Sequence, residues 1–554
     1  MESNPRRTRI VATLGPASRN RETLAAILEA GVNVIRLNLS HGSHEEHREN
    51  ITLVRETAAL LGLSVGILAD LQGPKIRTGQ IAGGEVPLEM GDTIVFTPDQ
   101  ADGSDGRVSI SYASLCEDIK PGNRILIDDG LLDAEVVEVR GRDVVCRIGT
   151  GGLLKPKKGV NFPGAKLSVP ALTEKDRQDV AFALEEGADF IALSFVRSHT
   201  EVVELRKMIH ASGKIMPVIA KIEKGEALDD IDRIVDAADA LMVARGDLGV
   251  ETSPEEVPLA QRMIVEKAAI SGKPVIVATQ MLDSMIRNPR PTRAEATDVA
   301  NAVFEGADAV MLSGETAAGQ YPVEAVGMMD RIIRRAERLA YRRGHYKGQS
   351  SFVPSPGITD GMAQAAVGLA DNLDARWIVA FTLSGQTARM LCKYRSAVPV
   401  VALTPNPVVA RRLSLYWGLT PIDVANADEL EKVMQITRGT LAALGMVREL
   451  DKVVVLTGVP LSVAGTTNLV RVLQIPKEGE SELAASATLN GERWRWKIDD
   501  DACIRCGICA SICSCGIYSM GGRRVEIHRE RLSECFLDMQ CVEACPVKAI
   551  SIAE

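Results

Sequence analysis

From residue 8 to about residue 345 the chain alternates short apolar runs with longer amphipathic stretches. The runs are RIVATLG, VNVIRLNLS, SVGILADLQG, DFIALSFVRS, MPVIAKIE, ALMVARGDLG, PVIVATQM and AVMLSGE, eight in all. Most precede a segment with helical spacing, such as RETLAAILEAG, EKDRQDVAFALEEG or PTRAEATDVANAVFEG. Near-continuous apolar strands alternating with helices indicate a parallel sheet buried on both faces. Eight such units predict an α/β fold closed into a (β/α)8 barrel over residues 1–73 and 171–345, with an open doubly wound sheet as the alternative.

Residues 74–170 interrupt the rhythm after the third run. They are rich in Gly and Asp and carry short alternating pieces (DTIVFTP, RILIDDG, AEVVEVR, DVVCRIG) without a long helical pattern. This predicts an inserted all-β domain, placed to act as a lid over the barrel mouth. After a breaker-rich stretch near 344–358, the runs RWIVAFTLSG, VPVVALTPN and DKVVVLTGVP predict a smaller α/β domain over 353–476. The polar, small-residue stretch 477–492 reads as a linker, and 493–554 as a separate cysteine-rich domain.

The formal net charge of −9 argues against a nucleic-acid coat or a polybasic membrane anchor. No apolar run is long enough to span a bilayer, and MESNPRRTRI lacks the apolar stretch of a signal peptide. The expectation is a cytoplasmic protein with neither nucleic acid nor membrane as partner. Cysteine use is lopsided. Cys116, Cys146 and Cys392 are scattered, whereas eight cysteines fall between Cys503 and Cys545, which indicates metal or redox chemistry rather than a disulfide framework.

In a barrel the active site lies at the C-terminal ends of the strands. Those ends are polar here: Arg36, Asn38 and Ser40; Asp70; Arg197; Lys221 and Glu223; Arg245 and Asp247; Thr279 and Gln280; Ser313 and Glu315. Charged groups at the ends of apolar strands are costly unless paired or liganded, so they read either as structural ion pairs or as a site. Lys221 and Glu223 are two apart in a strand and share a face, and Asp247 ends the next strand. Two carboxylates from adjacent strands suit a Mg²⁺ ion with its waters and a phosphate. Lys221 and Arg36 would serve a transferring phosphoryl group. Gly246 has no side chain, which lets a substrate carboxylate approach the backbone there.

The segments TRIVATLGPAS, VIRLNLSHG, ADLQGPKIRTG, KKGVNFPG, IAKIEKGEALDDID, MVARGDLGVE, VATQMLDSM, NPRPTRAEATDVANAV and MLSGETAAGQYP resemble, in order and spacing, the motifs of the pyruvate kinase family. The resemblance covers about 475 residues. It implies transfer of the phosphoryl group of phosphoenolpyruvate to ADP, and usually a homotetramer. Glu223 and Asp247 then match the ligands of Mg²⁺ or Mn²⁺, Lys221 and Arg36 the phosphoryl-stabilising cations, and Gly246, Asp247, Thr279 and Arg36 the substrate contacts. Thr279 falls where the enolate is protonated; the donor is Thr279, Lys221 or a relayed water. Lys158, His41 and Asn38 match nucleotide contacts. In many family members the equivalents of Asn38, Ser40 and Asp70 hold K⁺, and the GPxIR segment carries Glu. Lys75 stands in that place here, after Leu71–Gln72, so its ammonium is expected to supply the charge and K⁺ not to be required. Thr382, Ser384, Gly385 and Thr387 match the family's pocket for a phosphorylated activator, a sugar phosphate or nucleotide.

The tail run Cys503-x2-Cys506-x2-Cys509-x3-Cys513 resembles that of bacterial two-cluster ferredoxins, and Cys545–Pro546 closes a second run. A zinc ribbon would show two separated C-x-x-C pairs instead. In two-cluster ferredoxins the fourth cysteine of each run serves the other cluster, which implies one [4Fe–4S] cluster on Cys503, Cys506, Cys509 and Cys545. The second run has Asp538 where a cysteine belongs, and Ser514 and Cys515 depart from the first. The second site keeps Cys513, Cys535 and Cys541. It reads as [3Fe–4S], as Asp538-ligated [4Fe–4S], or as absent, with Cys515 a substitute ligand. The tail then serves electron carriage to a redox partner, redox sensing or structure.

Overall fold

A computed structural model describes residues 6–342, 357–461, 463, 465–476, 485–489, 492–498, 503, 506, 508–513, 515–521, 524–528, 531–532, 535, 540–546 and 548–553. The chain divides into two compact units, Met1–Ile436 with Val454–Arg471, and Thr437–Val453 with Val472–Glu554.

In the first unit the eight apolar runs close into a parallel barrel, in the order Arg9–Thr13, Val34–Asn38, Gly66–Asp70, Phe190–Leu193, Val218–Ile222, Ala240–Ala244, Val275–Ala278, Ala309–Leu312 and back to the first. The open-sheet alternative is therefore excluded. Both faces of the strands are buried. Val11, Val34, Leu68, Met242 and Ile276 belong to one core, while Ile10, Ile35, Ile67, Leu241 and Val277 belong to a larger core shared with the helices. Helix starts are fixed locally: Ser43 with Glu46, Thr173 with Asp176 and Thr292 with Glu295 form reciprocal capping boxes. Gly306 ends one helix at φ 99°, a left-handed position that glycine takes without steric cost.

Between the third and fourth barrel strands lies a six-stranded sheet, ordered Val160–Asn161, Arg124–Ile127, Leu132–Arg140, Asp143–Thr150, Thr93–Thr97 and Arg107–Ser109. It packs around its own core, which includes Phe96, Ile125, Val144 and Phe162. The only α-helix among the described residues here is the four-residue Leu115–Asp118.

A C-terminal α/β domain follows, with strands ordered Leu419–Asp423, Val400–Thr404, Trp377–Phe381, Lys452–Gly458 and Thr467–Gln474. The three central strands are the apolar runs of the sequence; the two edges are not legible there. In the tail, Ala485–Leu489, Glu492–Ile498 and Ile550–Ala553 pair as an antiparallel sheet, and Tyr518–Gly521 pairs with Arg524–Ile527. Part of the expected linker is therefore a strand: the small residues 485–489 gain their pairing from the neighbouring strand. Residues 477–484 lie outside the described residues. No helix among the described residues is long and apolar enough to cross a membrane.

Candidate active site

Each barrel strand brings one or two polar groups to its C-terminal end, and the closed topology gathers groups far apart in sequence. Arg36, the third residue of its strand, donates from Nε to Asp70 Oδ2 at 2.6 Å and from Nη1 to Thr13 Oγ1 at 3.1 Å. Asp70 is 1% exposed and lies 3.2 Å from the Lys221 ammonium on its other oxygen. Lys221 is also 3.1 Å from Glu223 and donates to Ser194 Oγ at 2.6 Å. The result is an alternating buried chain, Arg36–Asp70–Lys221–Glu223.

Its electrostatics follow from the order of charges. Burial opposes ionisation of Asp70, but Lys221 and Arg36 outweigh it and hold Asp70 below the ordinary carboxylate range. Burial likewise disfavours charge on Lys221, yet Asp70 and Glu223 outweigh it and raise its pKa. Glu223, 2% exposed, is pushed upward by burial and by Asp247, against Lys221. A buried carboxylate destabilised by a second carboxylate is a place short of positive charge, which fits a divalent ion. Among the described residues no third His, Cys, Asp or Glu joins such a group. That suits Mg²⁺, which takes one or two protein carboxylates and completes its shell from water and substrate.

Asp247 does not end its strand as expected: the strand closes at Ala244, and Asp247 lies in the first turn of the short helix Arg245–Glu251 that follows it. The Gly246 N–H donates to Thr279 Oγ1 at 2.8 Å, and that hydroxyl donates to Ala278 O at 2.6 Å. Thr279 and Gln280 have φ values of 72° and 54°. A β-branched residue with positive φ is strained, and surrounding structure must hold it there. Arg245 does so, donating to the Thr279 carbonyl at 2.6 Å while pairing with Asp298 at 2.7 Å.

A cleft opens beside these groups, lined among others by Pro74, Lys75, Asn161, Phe195, Lys224 and Asp247. Lys75 is half-buried there and makes no ion pair among the described residues. Asn38 accepts from the Ser40 N–H at 3.3 Å, and its backbone pairs in register with Asp70. His41 is exposed, and its carbonyl accepts from His47 at 2.8 Å. Lys158 pairs with Asp128 at 2.9 Å. Neither His41 nor Lys158 lines this cleft among the described residues.

Other strand-end groups brace the fold. Arg197 donates to the carbonyls of Leu167 and Val169 at 2.8 and 2.7 Å, pinning the return of the insert. Glu315 accepts from Leu282 and Ser313 backbone N–H groups. Sequence reasoning did not single out Ser194, Phe195, Lys224, Glu251 or Asn161, because each acquires meaning only from a partner on another element.

In the C-terminal domain Thr382, Ser384 and Thr387 line a small open cavity with Thr457, Thr466 and Thr467. Gly385 takes φ 81° and donates its N–H to Thr382 Oγ1 at 3.0 Å. No Lys or Arg lines the cavity among the described residues.

Among the described residues, no three of the tail cysteines are gathered closely enough to hold a metal ion. Cys509 is pushed up by burial first and then by Cys503 and Cys506. Cys541 is pushed up by burial, against a contact with the Tyr518 hydroxyl at 3.8 Å, with Cys513 and Cys535 adding to the rise. Cys513 and Cys545 each accept a backbone N–H from the fourth residue onward, Ile517 at 3.3 Å and Ala549 at 3.2 Å. Trp496 is 0% exposed in the same core and leaves its indole N–H without a partner among the described residues. Asp538 and Ser514 lie outside the described residues.

Fold and site together define a barrel phosphotransferase. Residues 5–326 match the pyruvate kinase barrel-domain family, and residues 360–473 match the pyruvate kinase alpha/beta-domain family. The pyruvate kinase of Geobacillus stearothermophilus is 47% identical over 470 residues, spanning 84% of this chain and 80% of that protein. The pyruvate kinase of Corynebacterium glutamicum is 47% identical over 473 residues, spanning 84% and 97%. Among solved structures, a pyruvate kinase from Cryptosporidium parvum superposes with a TM-score of 0.80 at 37% identity, covering 85% of this chain and 96% of that one. The chain belongs to the pyruvate kinase family.

Proposed function

We propose that this chain transfers the phosphoryl group of phosphoenolpyruvate to ADP, giving pyruvate and ATP, in the cleft at the strand ends. The observation that carries the reading is the buried Arg36–Asp70–Lys221–Glu223 chain with Asp247 beside it. A terminal phosphate oxygen of ADP attacks the phosphorus, the bond to the enol oxygen breaks, and the enolate takes a proton at its methylene carbon. Arg36 and Lys221 hold the phosphoryl oxygens, and Lys221 keeps its proton because two carboxylates face it. Glu223 and Asp247 would hold Mg²⁺ or Mn²⁺, which when bound neutralises charge developing on the reacting oxygens. Gly246 and Thr279 border the substrate; Thr279, Lys221 or a water supplies the proton.

The insert 74–170 acts as a lid in this reading, with Lys158, His41 and Asn38 reaching the nucleotide on closure. Lys75 supplies the positive charge that K⁺ gives at Asn38, Ser40 and Asp70 elsewhere in the family. The hydroxyl-lined cavity of the C-terminal domain takes the phosphate of a sugar-phosphate or nucleotide activator. The family supports a cytoplasmic homotetramer.

The tail 493–554 is proposed as an iron–sulfur domain. Its support is the cysteine spacing of the sequence, the N–H donors to Cys513 and Cys545, and the orphaned Trp496 N–H in a core that also takes in the cysteines. Cys503, Cys506 and Cys509, with Cys545, would hold one cluster; Cys513, Cys535 and Cys541 would hold a second, with Asp538 a fourth ligand or none.

Asp247→Asn tests the kinase reading. It should leave the melting temperature nearly unchanged and lower kcat by orders of magnitude, since one anionic ligand of the catalytic ion is lost. Near-normal turnover at saturating Mg²⁺ would remove Asp247 from the mechanism. Counting iron and acid-labile sulfide in anaerobically prepared protein tests the tail.

A further inference from the structure

The first crossing from barrel to insert and the last strand of the insert meet one small group of side chains. At the first, Gly73 takes φ 66° and lies so close to Phe195 that a Cβ would come within 2.9 Å of the ring. On the insert, Asn161, the last residue of strand Val160–Asn161, donates from its side-chain nitrogen to Glu251 Oε1 at 2.6 Å. Glu251 is buried, 7% exposed, and its same oxygen accepts from the Lys224 ammonium. Lys224 also lies over the Phe195 ring, 5.9 Å from its centre.

This group touches the cation carboxylates through covalent and hydrogen-bonded neighbours. Lys224 directly follows Glu223. The Phe195 N–H donates to Glu223 Oε2 at 2.6 Å. Glu251 ends the helix whose first turn holds Asp247. A carboxylate of this burial is costly unless fully paired, so the insert strand, the loop after Glu223 and the helix after Asp247 are held to one point.

We propose that Asn161, Glu251 and Lys224 form a latch that transmits the position of the insert to the carboxylates Glu223 and Asp247. They are positioning residues: none reaches the reacting atoms, and each acts through a group that does. When the insert moves over nucleotide, Asn161 carries Glu251 with it, and Glu251 pulls on both Lys224 and the Asp247 helix. Divalent-cation affinity and ADP affinity therefore become linked properties of one hydrogen-bonded node. The inference rests on Glu223 and Asp247 being the cation ligands.

The test uses the full chain and three variants: Asn161→Asp, Glu251→Gln and the double variant. Asn161→Asp sets two carboxylates against each other at 2.6 Å in the native geometry. Mn²⁺ affinity is read by electron paramagnetic resonance without nucleotide, and KM for ADP and kcat by steady-state kinetics, with melting temperature as a check on folding. Asn161→Asp should weaken Mn²⁺ binding and raise KM for ADP by about tenfold each, the scale of losing a hydrogen bond to a charged group. KM for phosphoenolpyruvate should change less than about twofold, because its contacts lie on the barrel. The double variant exchanges the two groups: the amide now on the helix donates to the carboxylate now on the insert strand, and its oxygen still accepts from Lys224. It should recover most of both losses. Wild-type Mn²⁺ affinity and KM for ADP in a folded Asn161→Asp variant would overturn the latch, as would a double variant no better than the single ones. Asp247→Asn is measured alongside. If it leaves Mn²⁺ affinity untouched, the cation assignment fails and the latch's link to it falls too. A loss there with no loss in Asn161→Asp rejects the latch alone.

Discussion

Replacing Lys221 by Met removes one ammonium from a site where it faces Glu223 at 3.1 Å, Asp70 at 3.2 Å and Ser194 at 2.6 Å. At an effective dielectric of about 20, each of the two charge pairs is worth about 5 kcal/mol of attraction before desolvation is subtracted. Breaking a buried pair from one side costs about 3–5 kcal/mol, because the partner is left charged and unpaired. The folded protein should therefore melt at lower temperature but remain folded at 25 °C, with Arg36 still pairing Asp70. The catalytic loss is separate. A cation aimed at developing negative charge contributes on the scale of an oxyanion-hole donor, about 10²–10³ in kcat. Its effect on metal binding has the opposite sign: the ammonium repels a divalent ion beside Glu223, so its removal should leave the Mg²⁺ requirement unchanged or tighter. The assay is ADP phosphorylation at saturating phosphoenolpyruvate across a Mg²⁺ titration. Turnover within about fivefold of the unmodified enzyme, or activity restored by extra Mg²⁺, would refute the assignment of Lys221 to the phosphoryl group.

Turnover should be similar with and without K⁺ in a large-organic-cation buffer, and Lys75→Glu, in the cleft, should create a K⁺ requirement; strong K⁺ activation of the unmodified enzyme would reject this. Burial pushes both Cys146 and Cys392 up to about 12, so neither should react with iodoacetamide at pH 8 in the native protein. Tail thiols should label in cluster-free protein and become protected on reconstitution with iron and sulfide, a result that mass spectrometry reads residue by residue; unchanged labelling would argue against clusters. His47 is buried and hydrogen-bonded to the His41 carbonyl, and burial lowers its pKa below the ordinary histidine value. The unfolded chain then binds the proton more readily, so stability is present above about pH 6.5 and declines as pH falls below it. His47→Gln should flatten that decline in melting temperature.

The barrel was legible because its strands are buried on both faces, and such strands read as continuous apolar runs. The same logic hides edge strands. Leu419–Asp423 and Thr467–Gln474 border the C-terminal sheet, are half exposed along much of their length, and the first contains Pro421. The site was legible as types and positions: charges at the ends of apolar strands stand out. Its pairings were not. That Asp70 serves two cations, that Arg197 braces the insert while Lys221 pairs with Asp70, and that Gly246 gives its N–H to Thr279 all depend on contacts between elements far apart in sequence. Asn161 and Glu251 lie 90 positions apart and look like ordinary polar residues until the insert folds back.

Phosphorus-31 spectroscopy of the purified protein with phosphoenolpyruvate and Mg²⁺, recorded with and without ADP and coupled to pyruvate determination, tests the central claim most directly. The account predicts ATP and pyruvate in equal amounts, formed only when ADP is present. Loss of phosphoenolpyruvate to inorganic phosphate without ADP, or pyruvate formed without ATP, would contradict it.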